Sequence, residues 1–141
     1  MSTRAIYKFF EDVVSNEPPI DIYKHHDGYP SGAVNWIRNA NEQAAHLLQD
    51  HPAMHLTRRD AMIIGFLTHN TGYRRISEEK LHGDIEYVYE IQNYGNLSRE
   101  IYAYFIEHDW DNDTSVKKQI FTGSLDEMEE WSKGEETWVV E

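Results

Sequence analysis

Apolar and polar positions change their period several times along this chain, and each change predicts an element. In "TRAIYKFF" (3–10) and "IDIYKH" (20–25) aromatic and β-branched residues dominate, as on a pleated sheet. "SNEPP" separates them, and its prolines bar a continuous strand or helix, so the pair predicts a hairpin with a moderately long loop. "DGYP" (27–30) is a dense turn cluster in which Gly28 is expected to supply the positive φ and Asp27 to bond amides of its own turn. Ser31 is then placed to cap a helix, because Ala33, Val34, Ile37, Ala40, Ala44, Leu47 and Leu48 follow at helical spacing. Asn35, Arg38, Asn41, Glu42 and Gln49 fall on the other side of that helix.

"HPAMH" interrupts the pattern, and Thr57 with Asp60 forms a capping box that uses the shorter carboxylate. The box favours a helix over a strand for "AMIIGFL" (61–67), ending near "HNTG". From residue 85 the period becomes two. Ile85, Tyr87, Tyr89 and Ile91 share one face, and Glu86, Val88, Glu90 and Gln92 share the other. "NYGN" turns the chain into a second strand, "REIYAYFIEH" (99–108). The polar loop "DWDNDTS" leads to the strand "VKKQIFTG" (116–123). Ser124 and Glu127 make a full capping box for a short helix carrying Leu125, Met128 and Trp131. The tail "GEETWVVE" is expected to add an edge strand or to pack Trp138 on the core.

The resulting order, β-β-α-α-β-β-β-α, predicts a single α+β domain over residues 1–141. Its natural layered form is an antiparallel sheet of about five strands with two or three helices packed on one face. Grouped hairpins argue against a doubly wound fold, and no Gly-rich phosphate loop revives it.

Composition adds two constraints. The chain has no cysteine, which excludes disulfides and thiolate zinc sites, and no apolar run long enough to span a bilayer. "MSTRAIYKFF" also lacks the pattern of a secretion signal, so a cytoplasmic location is expected. The net charge of −12 is unevenly placed. Residues 1–77 hold eight acids and eight bases, whereas residues 78–141 hold seventeen acids and five bases. A field of that sign repels phosphate backbones, which speaks against general nucleic-acid binding, and attracts a basic protein surface.

Three constellations are candidates for chemistry. His26 and Asp27 end the second strand, and His82 and Asp84 open the third. If those strands are neighbours, the four suit zinc or another divalent ion, although solvated imidazoles and a turn-forming Asp27 explain the same residues. Arg58, Arg59, Arg74 and Arg75 bracket one segment and could hold an anion such as a nucleotide phosphate, with Tyr29, Trp36 and Tyr73 available to stack on a base. The elements "HLT" (55–57) and "HNT" (69–71) echo two-histidine phosphoesterases, but they bracket one helix whose cap already uses Thr57. In the acidic half, Asp109, Trp110, Asp111 and Asp113 combine carboxylates with an aromatic anchor in a polar loop, a sensible contact for a basic partner, while Trp131 is expected in the core.

"STRAIYKF", "YKHHDGYPSG", "LHGDIEYVYEI" and "FTGSLDEM" follow one another in an order that resembles a family of small uncharacterised bacterial and phage proteins. Its marks are D-G-Y-P-x-G and H-G-D-x-E-Y-x-Y. "HNTGYRR" and the acidic "HDWDND" loop depart from that pattern. The resemblance implies a compact α+β domain in a phage or mobile-element setting and carries no activity with it. The expectation is therefore a non-enzymatic binding or inhibitor protein, without a cofactor, that meets a basic partner through its acidic half. The alternative is a metal- or nucleotide-binding, hydrolytic site at the "HHDGYP" and "HGD" corners. The sequence does not fix the oligomeric state.

Overall fold

A computed structural model describes residues 3–12, 18–24, 26–50, 57–69, 73–76, 85–94, 98–109 and 111–139. The chain forms β1 (Ala5–Asp12), β2 (Ile20–Lys24), α1 (Pro30–Asp50), α2 (Arg58–His69), β3 (Tyr73–Ile76), β4 (Tyr87–Tyr94), β5 (Ser98–Asp109), β6 (Thr114–Gly123) and α3 (Leu125–Val139). The strands make one sheet in the order β3-β2-β1-β4-β5-β6. All neighbours run antiparallel except β1 and β4, which are parallel. The α+β class stands. The four residues of β3 are an additional strand, and the parallel pair makes the sheet mixed. That pair follows from connectivity: the hairpin occupies one edge of β1, so the chain crosses through α1 and α2 and returns on the other.

Strand alternation sorts the side chains into two layers. Ala5, Tyr7, Phe9, Ile22, Tyr87, Tyr89, Ile91, Ile101 and Ala103 form one core with residues of α1, α2 and α3, so all three helices cover the same face. Phe66 of α2 sits between the rings of Tyr7 and Phe9, with centroids 4.7 and 5.4 Å away. On the opposite face Ile6, Tyr23 and Val88 form a smaller cluster with Ile85. Ile85 thus does not share the face of Tyr87: it precedes the first residue of β4 and escapes the alternation. Among the described residues no helix is long and apolar enough to cross a membrane.

Local signals set the helix ends. Thr57 accepts a hydrogen bond on its hydroxyl from the Asp60 amide at 3.1 Å. Ser124 and Glu127 make both halves of their box: the Ser124 amide donates to the Glu127 carboxylate at 2.9 Å and the Glu127 amide donates to the Ser124 hydroxyl at 3.2 Å. These bonds hold the exposed Glu127 carboxyl below its ordinary value. Replacing Ser124 by alanine is expected to cost about 1 kcal/mol, measured by urea unfolding. Ser31 is not the cap of α1. Pro30 opens that helix, and the Tyr29 carbonyl accepts its first bond from the Ala33 amide at 2.9 Å. Proline suits the first helical position because its φ is already helical and its missing N–H would have no helical partner there.

The tail does not form an edge strand. α3 continues to Val139, since one glycine in a helix interior, Gly134, costs only about 1 kcal/mol. The side chain of Trp138 lies outside the described residues. Arg38 joins α1 to α3 through Asp126 (3.3 Å) and Glu129 (3.2 Å), and Trp131 stacks on Phe121 at 5.0 Å against the core.

Candidate functional site

Two regions gather the residues that could act on another molecule. The first is the corner from β2 into α1. Its left-handed residue is Asp27, with φ 58°, and not Gly28. Aspartate tolerates that conformation, which frees Gly28 for a different task. The Gly28 amide donates to the Thr3 carbonyl at 2.9 Å, and a Cβ on Gly28 would lie 2.7 Å from the Cβ of Ala5. The Tyr89 hydroxyl donates to the Gly28 carbonyl from the sheet below. A Cβ on Gly32 would meet the Asp27 carbonyl oxygen at 2.3 Å. Both glycines of "DGYPSG" are therefore required by close backbone approach, and the motif has a structural explanation.

Lys24 is the chemistry at this corner that the sequence reading did not single out. It is 2% exposed, and its ammonium lies 4.5 Å from the centroid of the Trp36 ring. Burial lowers its pKa, and the Asp27 carboxylate opposes that shift. Its position, two residues after Ile22 on one strand, was the available signal for the helix-covered face. Tyr7, on the adjacent strand, is fully buried and held well above its ordinary value of 10.0, first by burial and then by Asp27.

The expected ligand sets are only partly visible. His26 and Asp27 are exposed, while His82 and Asp84 lie outside the described residues. Among the described residues no group of three or more histidines and carboxylates converges as a metal site would require. Arg59 is buried, and its Nε lies 3.4 Å from the neighbouring Asp60 carboxylate. The side chains of Arg58, Arg74 and Arg75 lie outside the described residues, as do His55 and Thr71. In the backbone register Arg74 and Arg75 stand opposite Tyr23 and Ile22. Tyr29 and Trp36 are partly buried against the main core, and Lys24 lies over the Trp36 ring.

The second region is an arm. β5 and β6 stay paired from Ile101 opposite Gly123 out to Asp109 opposite Thr114, but β4 begins at Tyr87, opposite Phe105. Beyond that point, among the described residues, only β5 and β6 continue as strands. The base of the arm is fixed by the Ile106 amide, which donates to the Glu86 carbonyl at 2.8 Å, and by His108. The His108 ring contacts the Ile85 carbonyl at 2.7 Å through Nε2 and the Ser115 hydroxyl at 2.9 Å through Nδ1. A neutral ring protonated on Nε2 satisfies both contacts.

At the tip, the Asp109 carboxylate accepts from the Asn112 amide (3.4 Å) and from its side-chain nitrogen (2.8 Å), and Asp113 closes the turn at φ 52°. Asp109, Asp111 and Asp113 are all exposed, whereas Trp110 lies outside the described residues. The lysines of the arm are engaged elsewhere. Lys117 reaches Glu90 at 3.3 Å and the ring of Tyr104 at 4.5 Å, and Lys118 pairs with Glu107. Their charge is thus spent lower on the arm, and the three tip carboxylates keep a local excess of negative charge. Val116, 55% exposed, lies among these charges on β6.

Compared with known proteins, the chain matches no family model, and no curated protein or solved structure is significantly similar to it.

Proposed function

We propose that this is a non-enzymatic binding protein, of the phage or mobile-element inhibitor type, that engages a basic protein surface in the cytoplasm through its acidic second half. The observation that carries the reading is the arm. Three exposed aspartates stand on a turn that Asp109 and Asn112 hold in shape, at the end of a ribbon extending past the first residue of β4. Carboxylates held in place before binding lose less conformational freedom on contact, and a protruding tip reaches a concave basic site that a flat face does not. The seventeen acids against five bases in residues 78–141 add to the same field.

The test is affinity capture followed by titration of the purified captured protein. Changing Asp109, Asp111 and Asp113 together to lysine is expected to weaken binding about a hundredfold or more, and added salt is expected to weaken the parent interaction. Binding that withstands both the triple change and high salt overturns the reading. Circular dichroism controls for the overall fold, and because Asp109 holds the tip turn and Asp113 closes it at φ 52°, Asp111→Lys alone separates loss of charge from loss of the turn.

A further inference from the structure

Three conditions for a reactive amine meet at Lys24. It is 2% exposed, its ammonium lies over the Trp36 ring at 4.5 Å, and burial lowers its pKa toward the neutral, nucleophilic form. Hydrogen-bond donors stand beside it. Lys24 is opposite Ala5 in the register of β1 and β2, so Tyr7, two residues along β1, is its diagonal neighbour on the helix-covered face. The Tyr7 hydroxyl and Trp36 Nε1 are buried atoms, and among the described residues neither finds a hydrogen-bond partner. Buried donors are ordinarily bonded, so two that are not, beside one buried amine, point to an acceptor that arrives from outside. After burial, the Asp27 carboxylate is the next influence on both Lys24 and Tyr7, so both lie near it.

We propose that Lys24 captures a small neutral aldehyde or ketone as a protonated imine, with the Tyr7 hydroxyl donating to the carbonyl oxygen as the carbon–nitrogen bond forms. The ammonium first releases a proton, and the nitrogen lone pair attacks the carbonyl carbon. The carbonyl oxygen then leaves as water, carrying that proton and a second hydrogen from nitrogen. The third hydrogen stays on the imine nitrogen. Charge is therefore the same before and after, and the iminium keeps the attraction of the Trp36 ring and of Asp27. Tyr7 stays protonated throughout, because burial holds its phenol well above the ordinary 10.0. It acts as a fixed donor that polarises the carbonyl, and not as a base.

The site selects by size and by charge. A lysine that is 2% exposed admits only a small reactant, and the exposed Asp27 carboxylate repels an anionic one. None of these residues belongs to the arm, so failure of the carbonyl site leaves the proposed basic partner in place.

Reductive trapping on the intact chain is the test. Acetaldehyde with cyanoborohydride at neutral pH, followed by peptide mapping, is expected to alkylate Lys24 about tenfold faster than the exposed Lys118 and Lys133. In urea that preference is expected to vanish. Tyr7→Phe removes a hydroxyl without a partner among the described residues, so no hydrogen bond is lost and stability is expected to hold. Labelling of Lys24 in that variant is expected to fall about tenfold, with its pH dependence unmoved. Asp27→Asn keeps a residue that tolerates the left-handed backbone, and is expected to raise labelling by the anion glyoxylate more than labelling by acetaldehyde. Circular dichroism confirms the fold of each variant. Labelling of Lys24 no faster than that of Lys118 and Lys133 in the folded chain overturns the proposal. So does a Tyr7→Phe chain that reacts at the parent rate, or a glyoxylate reaction that Asp27→Asn does not favour.

Discussion

Gly32→Ala is expected to lower the stability of this protein by about 3 kcal/mol, close to the upper end of what a single overpacked methyl costs. The new Cβ would meet the Asp27 carbonyl oxygen at 2.3 Å, and that oxygen has little room to retreat. Asp27 is held at φ 58°, and the next residue, Gly28, is pinned from two sides by the Thr3 carbonyl and the Tyr89 hydroxyl. Relief must come from moving the start of α1, whose Ala33, Val34 and Ile37 are in the main core. The local crowding thus becomes a packing defect between the first helix and the sheet. Gly134→Ala is the matched control. Nothing lies within 4 Å of its added Cβ, and alanine there should stabilise α3 by roughly 0.5–1 kcal/mol. Urea unfolding of the two variants measures both effects. A cost below about 1 kcal/mol for Gly32→Ala would show that the corner is softer than its contacts imply.

Alkaline pH is expected to unfold the protein through its buried phenols. Tyr7, Tyr87 and Tyr89 are fully buried, and burial is the main cause that raises each pKa above the ordinary 10.0. A group raised on folding contributes stability that is whole below its unfolded value and is lost as pH climbs toward its folded value. The loss therefore begins near the ordinary tyrosine pKa, where the unfolded chain starts to release protons that the native one retains. One unit above it, Tyr7 and Tyr89 together remove about 3 kcal/mol, and Tyr87 acts in the same direction.

Lys24 works the other way over a lower range. Its depressed pKa means that the native state releases a proton first, so stability rises with pH from that lowered value up to the ordinary 10.5. A shallow rise followed by a steep fall is the expected profile. Tyrosinate absorbance and circular dichroism, followed together, check it. Tyr7, Tyr87 and Tyr89 should ionise only as the dichroism is lost. Ionisation of all nine at the ordinary value, with the fold intact, would contradict the buried cluster.

What could be read from sequence was what neighbouring residues decide among themselves. α1 follows from apolar spacing, and the starts of α2 and α3 from capping pairs whose partners are three residues apart. The period-two run that became β4 was equally legible. β3 was not: "YRRI" is short, charged and without a period, and it becomes a strand because β2 offers it an edge. Nor was the parallel pairing of β1 with β4, whose partners stand some eighty residues apart, so that no local pattern encodes it. At the corner, the turn was recognised, but the division of labour between Asp27 and Gly28 depends on the approach of β1. At the arm, polarity announced exposure of Asp109, Asp111 and Asp113. Its extension past the first residue of β4 depends on where that strand begins.

The central place of β1 has a kinetic consequence. Its pairing with β2 is local and can form early, while its other edge waits for Tyr87–Tyr94 to be made and brought back across two helices. During synthesis an apolar strand bearing Ile6, Tyr7 and Phe9 therefore has one edge unpaired. Closure of the sheet depends on a contact of long sequence separation, which slows folding and prolongs the exposure of that edge. A chain stalled before β4 would present the interior of the sheet as a surface, and in a cell such nascent chains are the ones that chaperones must shield.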